Sequence, residues 1–128
     1  MFFEFWRGVQ SMILEANVTI MVSYVDKALD FYEKILGLEL REKYGSKYAE
    51  VQVNGFVIGL HLKNSDSPRS ESNNMLVGFR VEDLEHSAAN LKNKGVKFST
   101  ETEEGVAGKF AYFSDPDGNM LYLWQSKS

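Results

Sequence analysis

The 128-residue sequence is long enough for one domain with a hydrophobic core, because 44% of its residues are apolar and 25% are charged. Its net charge of −4 argues against binding to DNA or RNA, which depends on clustered lysine and arginine side chains. The sequence contains no cysteine, which excludes disulfide bonds, a thiolate nucleophile and a sulfur-ligated zinc site. This composition is compatible with a reducing cytoplasm, the location that we expect.

The first eleven residues, MFFEFWRGVQS, are predicted to be an extension that precedes the domain. Glu4 interrupts their aromatic run and no cationic stretch precedes it. The segment is therefore a poor secretory signal, and it is too short to cross a bilayer. Two interpretations remain open: Met12 is an alternative start, or the aromatic side chains pack against a partner subunit.

A strand and a helix are predicted to open the domain. The strand at Asn17–Ser23 is rich in β-branched residues, and apolar residues then recur at helical spacing through Tyr24–Gly37. Ser23 or Asp26 is expected to cap the start of this helix, and Gly37 is expected to end it in the left-handed conformation.

Three more strands are predicted in this half of the chain, at Leu38–Tyr44, Lys47–Val53 and Phe56–Lys63. Asn54-Gly55 separates the last two strands, and this dipeptide is typical of a two-residue hairpin turn. The next segment, Asn64–Asn74, contains no apolar residue, so we predict an exposed linker there.

The same order of elements is predicted after the linker: a strand at Met75–Val81 and then a helix at Asp83–Lys94, which Asp83 caps and Gly95 ends. The remaining strands are predicted at Val96–Ser99, Phe110–Ser114 and Met120–Gln125. The segment Thr100–Lys109 is interpreted either as a flexible lid or as a long hairpin loop. In the turn Asp115–Asn119 (DPDGN), the carboxylates are expected to bond to the local backbone.

These two halves are predicted to be degenerate repeats. Residues 17–22 align with 76–81, 48–49 with 110–111, 54–55 with 117–118, and 58–61 with 121–124. Repeats of mixed elements generally bury a shared core together. The prediction is one domain at residues 12–128, with a first module at about 12–63 and a second at about 75–125.

Two stretches closely resemble the most recognisable motifs of the vicinal-oxygen-chelate superfamily. They are VSYVDKALDFYEKILGLEL (22–40) and FSDPDGNMLYLWQ (113–125), and FRVEDLE (79–85) resembles the start of the second module. This superfamily includes glyoxalase I, extradiol dioxygenases and bleomycin resistance proteins. The resemblance implies an α+β fold in which paired βαβββ modules form a curved mixed sheet, with a cup on one face and helices on the other. It also implies a homodimer, since the cup of many members is completed across the dimer.

The metal enzymes of that superfamily take ligands from the first and last strands of each module. The resemblance places these four positions at Asn17, Gly59, Leu76 and Tyr122. Family members use charged or imidazole donors at these positions. Here Asn17 offers only a weak neutral oxygen and Tyr122 a phenol, which is an uncommon ligand, while Gly59 and Leu76 offer no side-chain donor. We therefore predict no metal, no cofactor and no catalytic residue.

His61 lies two residues after Gly59 and is expected on the same face of the strand. Three roles remain open for it: a wall of the cup that contacts a ligand, structural packing, and metal binding or acid–base chemistry. His86, near the start of the second predicted helix, is interpreted as an exposed surface residue.

The replaced positions predict an apolar cup with aromatic walls, which is typical of a small-molecule site. The predicted ligand-binding residues are Asn17, Met21, His61, Leu76, Tyr112, Tyr122 and Trp124. Stacking on the rings would suit a flat or cationic ligand. The alternative is that the same side chains fill the cup as core.

Three functions are therefore considered. The favoured hypothesis is a metal-free protein that binds a small aromatic or amphipathic molecule, in the manner of resistance or sequestration proteins. The second is a glyoxalase- or dioxygenase-type lyase, isomerase or oxidoreductase that recruits a metal through non-standard ligands. The third is an interaction module whose cup is filled.

Overall fold

The computed structural model describes residues 17–63, 75–106 and 108–127. The predicted extension at residues 1–11 and the predicted linker Asn64–Asn74 lie outside the described residues. The strands are β1 (Val18–Val22), β2 (Glu39–Tyr44), β3 (Tyr48–Val53), β4 (Phe56–Leu62), β5 (Val77–Arg80), β6 (Glu103–Glu104), β7 (Gly108–Ser114) and β8 (Met120–Ser126). The helices are α1 (Val25–Leu29), which continues in π-helical turns over Asp30–Ile35, and α2 (Leu84–Asn93).

The strands form two four-stranded sheets with the same internal order, β1-β4-β3-β2 and β5-β8-β7-β6. In each sheet the first strand pairs in parallel and the other pairs are antiparallel. Thr19 pairs with Gly59 in the first sheet, as Gly78 pairs with Tyr122 in the second. The predicted alignment of the two halves therefore agrees with their strand registers, and the α+β fold of paired βαβββ modules is confirmed.

Helix α1 begins without the predicted side-chain cap. Its N-cap residue is Tyr24, and no side chain bonds to the free backbone amides. Ser23 instead bonds through its hydroxyl to Asp117, and Asp26 forms an ion pair with Lys43. Both candidate caps are thus used by partners that are distant in sequence, so the prediction was wrong. Gly37 has φ +83°, as expected for the end of this helix.

The second half of this helix is π-helical, and apolar spacing did not indicate it. The amide of Leu36 bonds to the carbonyl of Phe31 at 2.9 Å, which is a five-residue step. Apolar residues that recur every three to four positions fit α-helical and π-helical turns equally well over so short a segment. Phe31 and Tyr32 are both buried in this stretch, and their rings meet edge to face with centroids 5.0 Å apart.

Two local predictions are confirmed by backbone geometry. Asp83 caps α2 by accepting a hydrogen bond from the amide of His86 at 3.0 Å, and Gly95 ends this helix with φ +94°. Asn54 and Gly55 have φ +48° and +82°, which is the pair of positive angles that a type I′ hairpin requires.

The predicted strand at Val96–Ser99 is not formed; among the described residues, its one ladder contact is a bridge between Phe98 and Phe113. Val96 is buried because it closes the end of α2, where its amide bonds to the carbonyl of Leu91 at 3.0 Å. Val96 therefore suggested a strand because it is apolar, although it is apolar because it packs at the end of α2. Part of Thr100–Lys109 is instead the short strand β6, which pairs with β7.

One hydrophobic core joins both modules. Alternate residues of each sheet face it, including Ile20, Val22, Ala49, Val51, Ile58, Leu60, Ala111, Phe113, Leu121 and Leu123. Phe31 of the first module packs with its ring centroid 6.4 Å from that of Phe113 in the second. The intervening residues of each strand point away from the helices, and we call these two surfaces the open faces.

The turn Asp115–Asn119 connects the modules at one end of this core. Asp117 accepts a hydrogen bond from the amide of Ser23 at 3.0 Å and lies 3.8 Å from the ammonium of Lys63. The side-chain amide of Asn119 donates to the carbonyl of Met21 at 3.3 Å. Within the described ranges, no helix is both long and apolar enough to cross a bilayer.

Candidate ligand-binding site

The two open faces differ in chemistry. The open face of the first sheet carries Thr19, Met21, Tyr48, Glu50, Gly59 and His61. The open face of the second carries Gly78, Arg80, Phe110, Tyr112, Tyr122 and Trp124. The first face is therefore largely polar and the second largely aromatic.

The aromatic residues of the second sheet form a continuous group, which we call the aromatic row: Phe110, Tyr112, Tyr122 and Trp124. The Tyr112 ring lies with its centroid 5.8 Å from Phe110 and 5.8 Å from Tyr122. Trp124 pairs with Phe110 across the strands, and all four side chains are half-buried. The Phe110 and Tyr112 rings meet edge to face, and the Tyr112 and Tyr122 rings are tilted by 48° to each other. Such contacts stabilise neighbouring aromatic side chains.

Gly78 determines how Tyr122 lies in this row. A Cβ atom at Gly78 would stand 2.3 Å from the Cζ atom of the Tyr122 ring. The ring therefore extends across the neighbouring strand β5 in space that any other residue would fill. Arg80, two residues further along β5, is exposed and pairs with Trp124, so a guanidinium borders the row.

The first sheet holds a hydrogen-bonded group around Glu50. The Tyr48 hydroxyl donates to the Glu50 carboxylate at 2.8 Å, and Arg41 forms an ion pair with it at 2.5 Å. The Tyr48 hydrogen bond, followed by Arg41, lowers the pKa of Glu50 below its ordinary value. Burial, followed by Glu50, raises the pKa of Tyr48 to about 12. The phenol is thus neutral and the carboxylate ionised at neutral pH.

Gly59 leaves room for this group. A Cβ atom at Gly59 would lie 2.6 Å from the Tyr48 hydroxyl oxygen and 3.2 Å from Oγ1 of Thr19. The space beside Gly59 is therefore taken by a phenol, and it is not available for a longer side chain. Tyr48 and Glu50 were missed by sequence reasoning, although their spacing of two residues in a strand placed them on one face.

The residues at the four family ligand positions do not fit a divalent metal. Gly59 has no side chain and the Tyr48 hydroxyl covers it, while Leu76 offers no donor and is 45% exposed before β5. Asn17 is exposed ahead of β1, and Tyr122 contributes a phenol. Across residues 17–63, 75–106 and 108–127, no group of three His, Asp or Glu side chains is placed to hold a metal ion.

His61 is half-buried on the open face of the first sheet. Its Nδ1 atom lies 2.8 Å from the carbonyl oxygen of Leu62, and its ring centroid is 5.9 Å from that of Tyr48. A carbonyl only accepts hydrogen bonds, so Nδ1 carries the proton and Nε2 is the acceptor in the neutral ring. His86 is exposed, as expected.

The structure divides the predicted ligand-binding residues into three groups. Tyr112, Tyr122 and Trp124 lie together in the aromatic row, and Met21 pairs with His61 on the first sheet. Asn17 and Leu76 lie just outside the strands, ahead of β1 and β5. Phe110 also belongs to the row and was not predicted, although its spacing of two residues from Tyr112 in the predicted strand placed it on the same face.

Comparison with known proteins agrees with this architecture. A sequence profile of the Glyoxalase/Bleomycin resistance protein/Dioxygenase superfamily matches residues 16–123. The chain is 24% identical to "Glyoxylase I 4" of Arabidopsis thaliana over 117 residues, which cover 84% of this chain and 67% of the relative. A superfamily member from Sphaerobacter thermophilus has a TM-score of 0.73 at 26% identity, covering 91% of this chain and 100% of that one. The lactoylglutathione lyase of Agrobacterium tumefaciens shares the fold, with a TM-score of 0.70 at 15% identity over 92% of this chain and 96% of that one.

Proposed function

Because the chain belongs to the Glyoxalase/Bleomycin resistance protein/Dioxygenase superfamily, we propose that it binds a small aromatic or amphipathic molecule without a metal. This mode of action resembles that of the resistance and sequestration proteins in the superfamily. The chain's own donor chemistry supports it, since the four family ligand positions supply no carboxylate or imidazole.

The aromatic row carries the proposal. Half-buried rings whose neighbouring centroids lie 5.8 Å apart on an open sheet face form a surface for a planar group. Core aromatics on a strand would be covered by another layer, as Phe113 is on the opposite face of the same sheet at 0% exposure. Apolar surface with a few polar groups at its border is the usual composition of a small-molecule site.

The polar face of the first sheet supports an amphipathic ligand. Glu50, Tyr48 and His61 lie there with hydrogen-bonding atoms at the surface, whereas the aromatic row lies on the second sheet. The contacts that join the modules lie at the core and at the Asp115–Asn119 turn. We therefore propose a homodimer in which the polar face of one subunit meets the aromatic row of its partner around the ligand.

The binding proposal is tested by the fluorescence of Trp124. A Trp6→Phe variant leaves Trp124 as the single tryptophan, and the protein is titrated with two-ring aromatic compounds such as 2-naphthol. Saturable quenching is expected, and Tyr122→Ala is expected to weaken it by about tenfold, because one stacking ring is lost. Tyr24→Ala is the matched control, because Tyr24 is 69% exposed and lies outside both open faces.

Two results would contradict binding at the aromatic row. One is the lack of saturable quenching by any compound in a folded protein. The other is quenching in both Tyr112→Ala and Tyr122→Ala with the same affinity as in the unsubstituted protein. Sedimentation equilibrium tests the dimer separately. A protein that stays monomeric at all concentrations would exclude a site shared between two subunits, and the quenching experiment would still test binding at the aromatic row.

A further inference from the structure

A cleft lies on the helix-covered side of the molecule, between the two modules. Its volume is about 490 Å³, which is within the range of small-molecule sites. The first module contributes Phe31 and Ile35 from the π-helical turns. The second module contributes the segment after α2, residues 94–99, and the end of β7 with its turn, residues 114–116. Apart from Ser114, at the end of β7, none of these residues belongs to the open faces.

Apolar side chains form the walls of this cleft. Phe31 and Phe98 both pack on the buried Phe113, with ring centroids 6.4 Å and 5.2 Å from it. Ile35 and Phe98 are half-buried, and they keep exposed apolar surface towards the cleft. The cleft can therefore take an apolar group, which would lose contact with water there.

The rim of the cleft is positively charged. Lys94 and Lys97 line it and are exposed, and neither forms an ion pair within the part of the chain that the structure describes. Lys92 lies nearby, with its ammonium 5.5 Å from the centre of the Phe98 ring.

The acidic residue in this lining does not neutralise the positive charge of the rim. Asp115 is 5% exposed, and its carboxylate accepts hydrogen bonds from Tyr32, from the amides of Asp117 and Asn119, and from the side chain of Asn119. Four donors therefore hold it towards the protein interior. Lys94 and Lys97 are the charged side chains that an incoming ligand meets.

We propose that this cleft binds an amphipathic anion, with an apolar chain between Phe31, Ile35 and Phe98 and a carboxylate at Lys94 and Lys97. The site is separate from the aromatic row, and neither depends on the other. It joins the two modules, so an occupied cleft stabilises their packing in addition to binding the ligand.

Calorimetric titration with decanoate, below its micelle-forming concentration, tests this proposal. One decanoate is expected to bind per chain. Lys94→Gln/Lys97→Gln is expected to weaken binding by about tenfold, because two exposed charge contacts are removed. Lys27→Gln/Lys47→Gln, which removes the same charge from exposed lysines outside the cleft, is expected to leave the affinity unchanged.

A second variant and two further ligands complete the test. Ile35→Asp places a like charge among the apolar walls and is expected to abolish decanoate binding, whereas Tyr122→Ala is expected to retain it. Decylamine is expected not to bind, because its cation meets the lysine rim. Phosphatidylcholine vesicles that contain decanoate distinguish binding of free decanoate from binding to a lipid surface. If the protein recognises decanoate in a lipid surface, it is expected to sediment with these vesicles.

The proposal is overturned if Lys94→Gln/Lys97→Gln binds decanoate as tightly as the unchanged protein. Equal binding of decylamine and decanoate would also overturn it, since it would show hydrophobic partitioning without recognition of charge. Loss of decanoate binding in Tyr122→Ala would move the ligand to the aromatic row and exclude the cleft.

Discussion

The hydroxyl of Tyr32 donates a 2.7 Å hydrogen bond to the carboxylate of Asp115, and both groups are buried. Burial, followed by the charge of Asp115, raises the pKa of the Tyr32 phenol well above its ordinary value. The phenol is therefore protonated at neutral pH and can donate this hydrogen bond. The bond links the helix of the first module to the turn of the second and contributes to their packing.

The first prediction is that Tyr32→Phe lowers the free energy of unfolding by about 1–3 kcal/mol. The substitution keeps the ring and removes only a donor to a buried carboxylate, and losing such a partner carries a cost of this order. Urea denaturation measures the difference. Tyr24→Phe, which alters a tyrosine that is 69% exposed, is expected to change stability by less than about 0.5 kcal/mol. Equal stability of the two variants would show that the bond contributes nothing.

The second prediction concerns the contact between Gly59 and Tyr48. Gly59→Ala is expected to lower the free energy of unfolding by about 1–3 kcal/mol, because its Cβ would lie 2.6 Å from the Tyr48 hydroxyl oxygen. The Tyr48 ring must then leave Glu50. Thermal or urea unfolding gives the cost.

A double-mutant cycle is the control for this contact. In a Tyr48→Phe background the hydroxyl is absent, so Gly59→Ala is expected to cost less than in the unchanged protein. The nearest remaining atom of the ring stands 3.0 Å from the new Cβ, so part of the cost persists. Strictly additive effects would contradict the close approach of these two residues.

The third prediction is a pH dependence carried by Glu50. Its pKa is lowered in the folded protein, so the ionised form stabilises the fold above the ordinary pKa of 4.5, and this contribution is lost as the pH falls through the lowered value. The stability difference between the unchanged protein and Glu50→Gln is therefore expected to be full near neutral pH and to shrink below 4.5. Urea denaturation at several pH values measures it.

Glu104→Gln is the matched control for that series. Glu104 is exposed in β6, so its substitution is expected to give no comparable loss at acid pH. A difference for Glu50→Gln that stays constant from neutral to acid pH would contradict the assigned Tyr48 and Arg41 contacts.

The fourth prediction tests the aromatic row through Gly78. Gly78→Ala would place a Cβ within 2.3 Å of the Tyr122 ring, so this ring is expected to turn away from β5. Near-ultraviolet circular dichroism is expected to change, and 2-naphthol affinity is expected to fall by about tenfold. Tyr24→Ala, at an exposed residue outside both open faces, is the control for the affinity measurement. Unchanged affinity in Gly78→Ala would remove Tyr122 from the site.

The fifth prediction concerns metal dependence. Dialysis against EDTA is expected to leave both the melting temperature and 2-naphthol affinity unchanged, because the family ligand positions hold no suitable donors. Elemental analysis of protein purified without chelators checks this directly. A stoichiometric divalent ion that is lost in His61→Ala would overturn the metal-free proposal and favour the enzymatic hypothesis.

Sequence analysis predicted those features whose causes are local. Asn54-Gly55 requires two positive φ angles, and Asp83 caps the helix that follows it, so neither depends on distant residues. The fold was predicted through motifs that are themselves local, a helix ending at Gly37 and the turn Asp115–Asn119.

The features that were missed depend on contacts across the sheets. Ser23 has a suitable side chain and position for a helix cap, but its hydroxyl bonds to Asp117, which lies 94 residues away. Tyr48 and Glu50 gave no signal alone, because their role depends on Arg41 and Gly59 in neighbouring strands. Alternation placed Tyr112, Tyr122 and Trp124 on one face, but it carried no information on how the two modules are arranged.

The hairpin turns of the two repeats have diverged unequally. The first repeat closes with the two residues Asn54-Gly55, which the structure leaves exposed, whereas the second uses Asp115–Asn119 to bond to Tyr32 and Ser23. Two copies of the first repeat would lack this longer turn and could not reproduce the bond. The two halves are therefore asymmetric at the place where they contact each other. This asymmetry favours packing of the first half against the second over packing of two first halves.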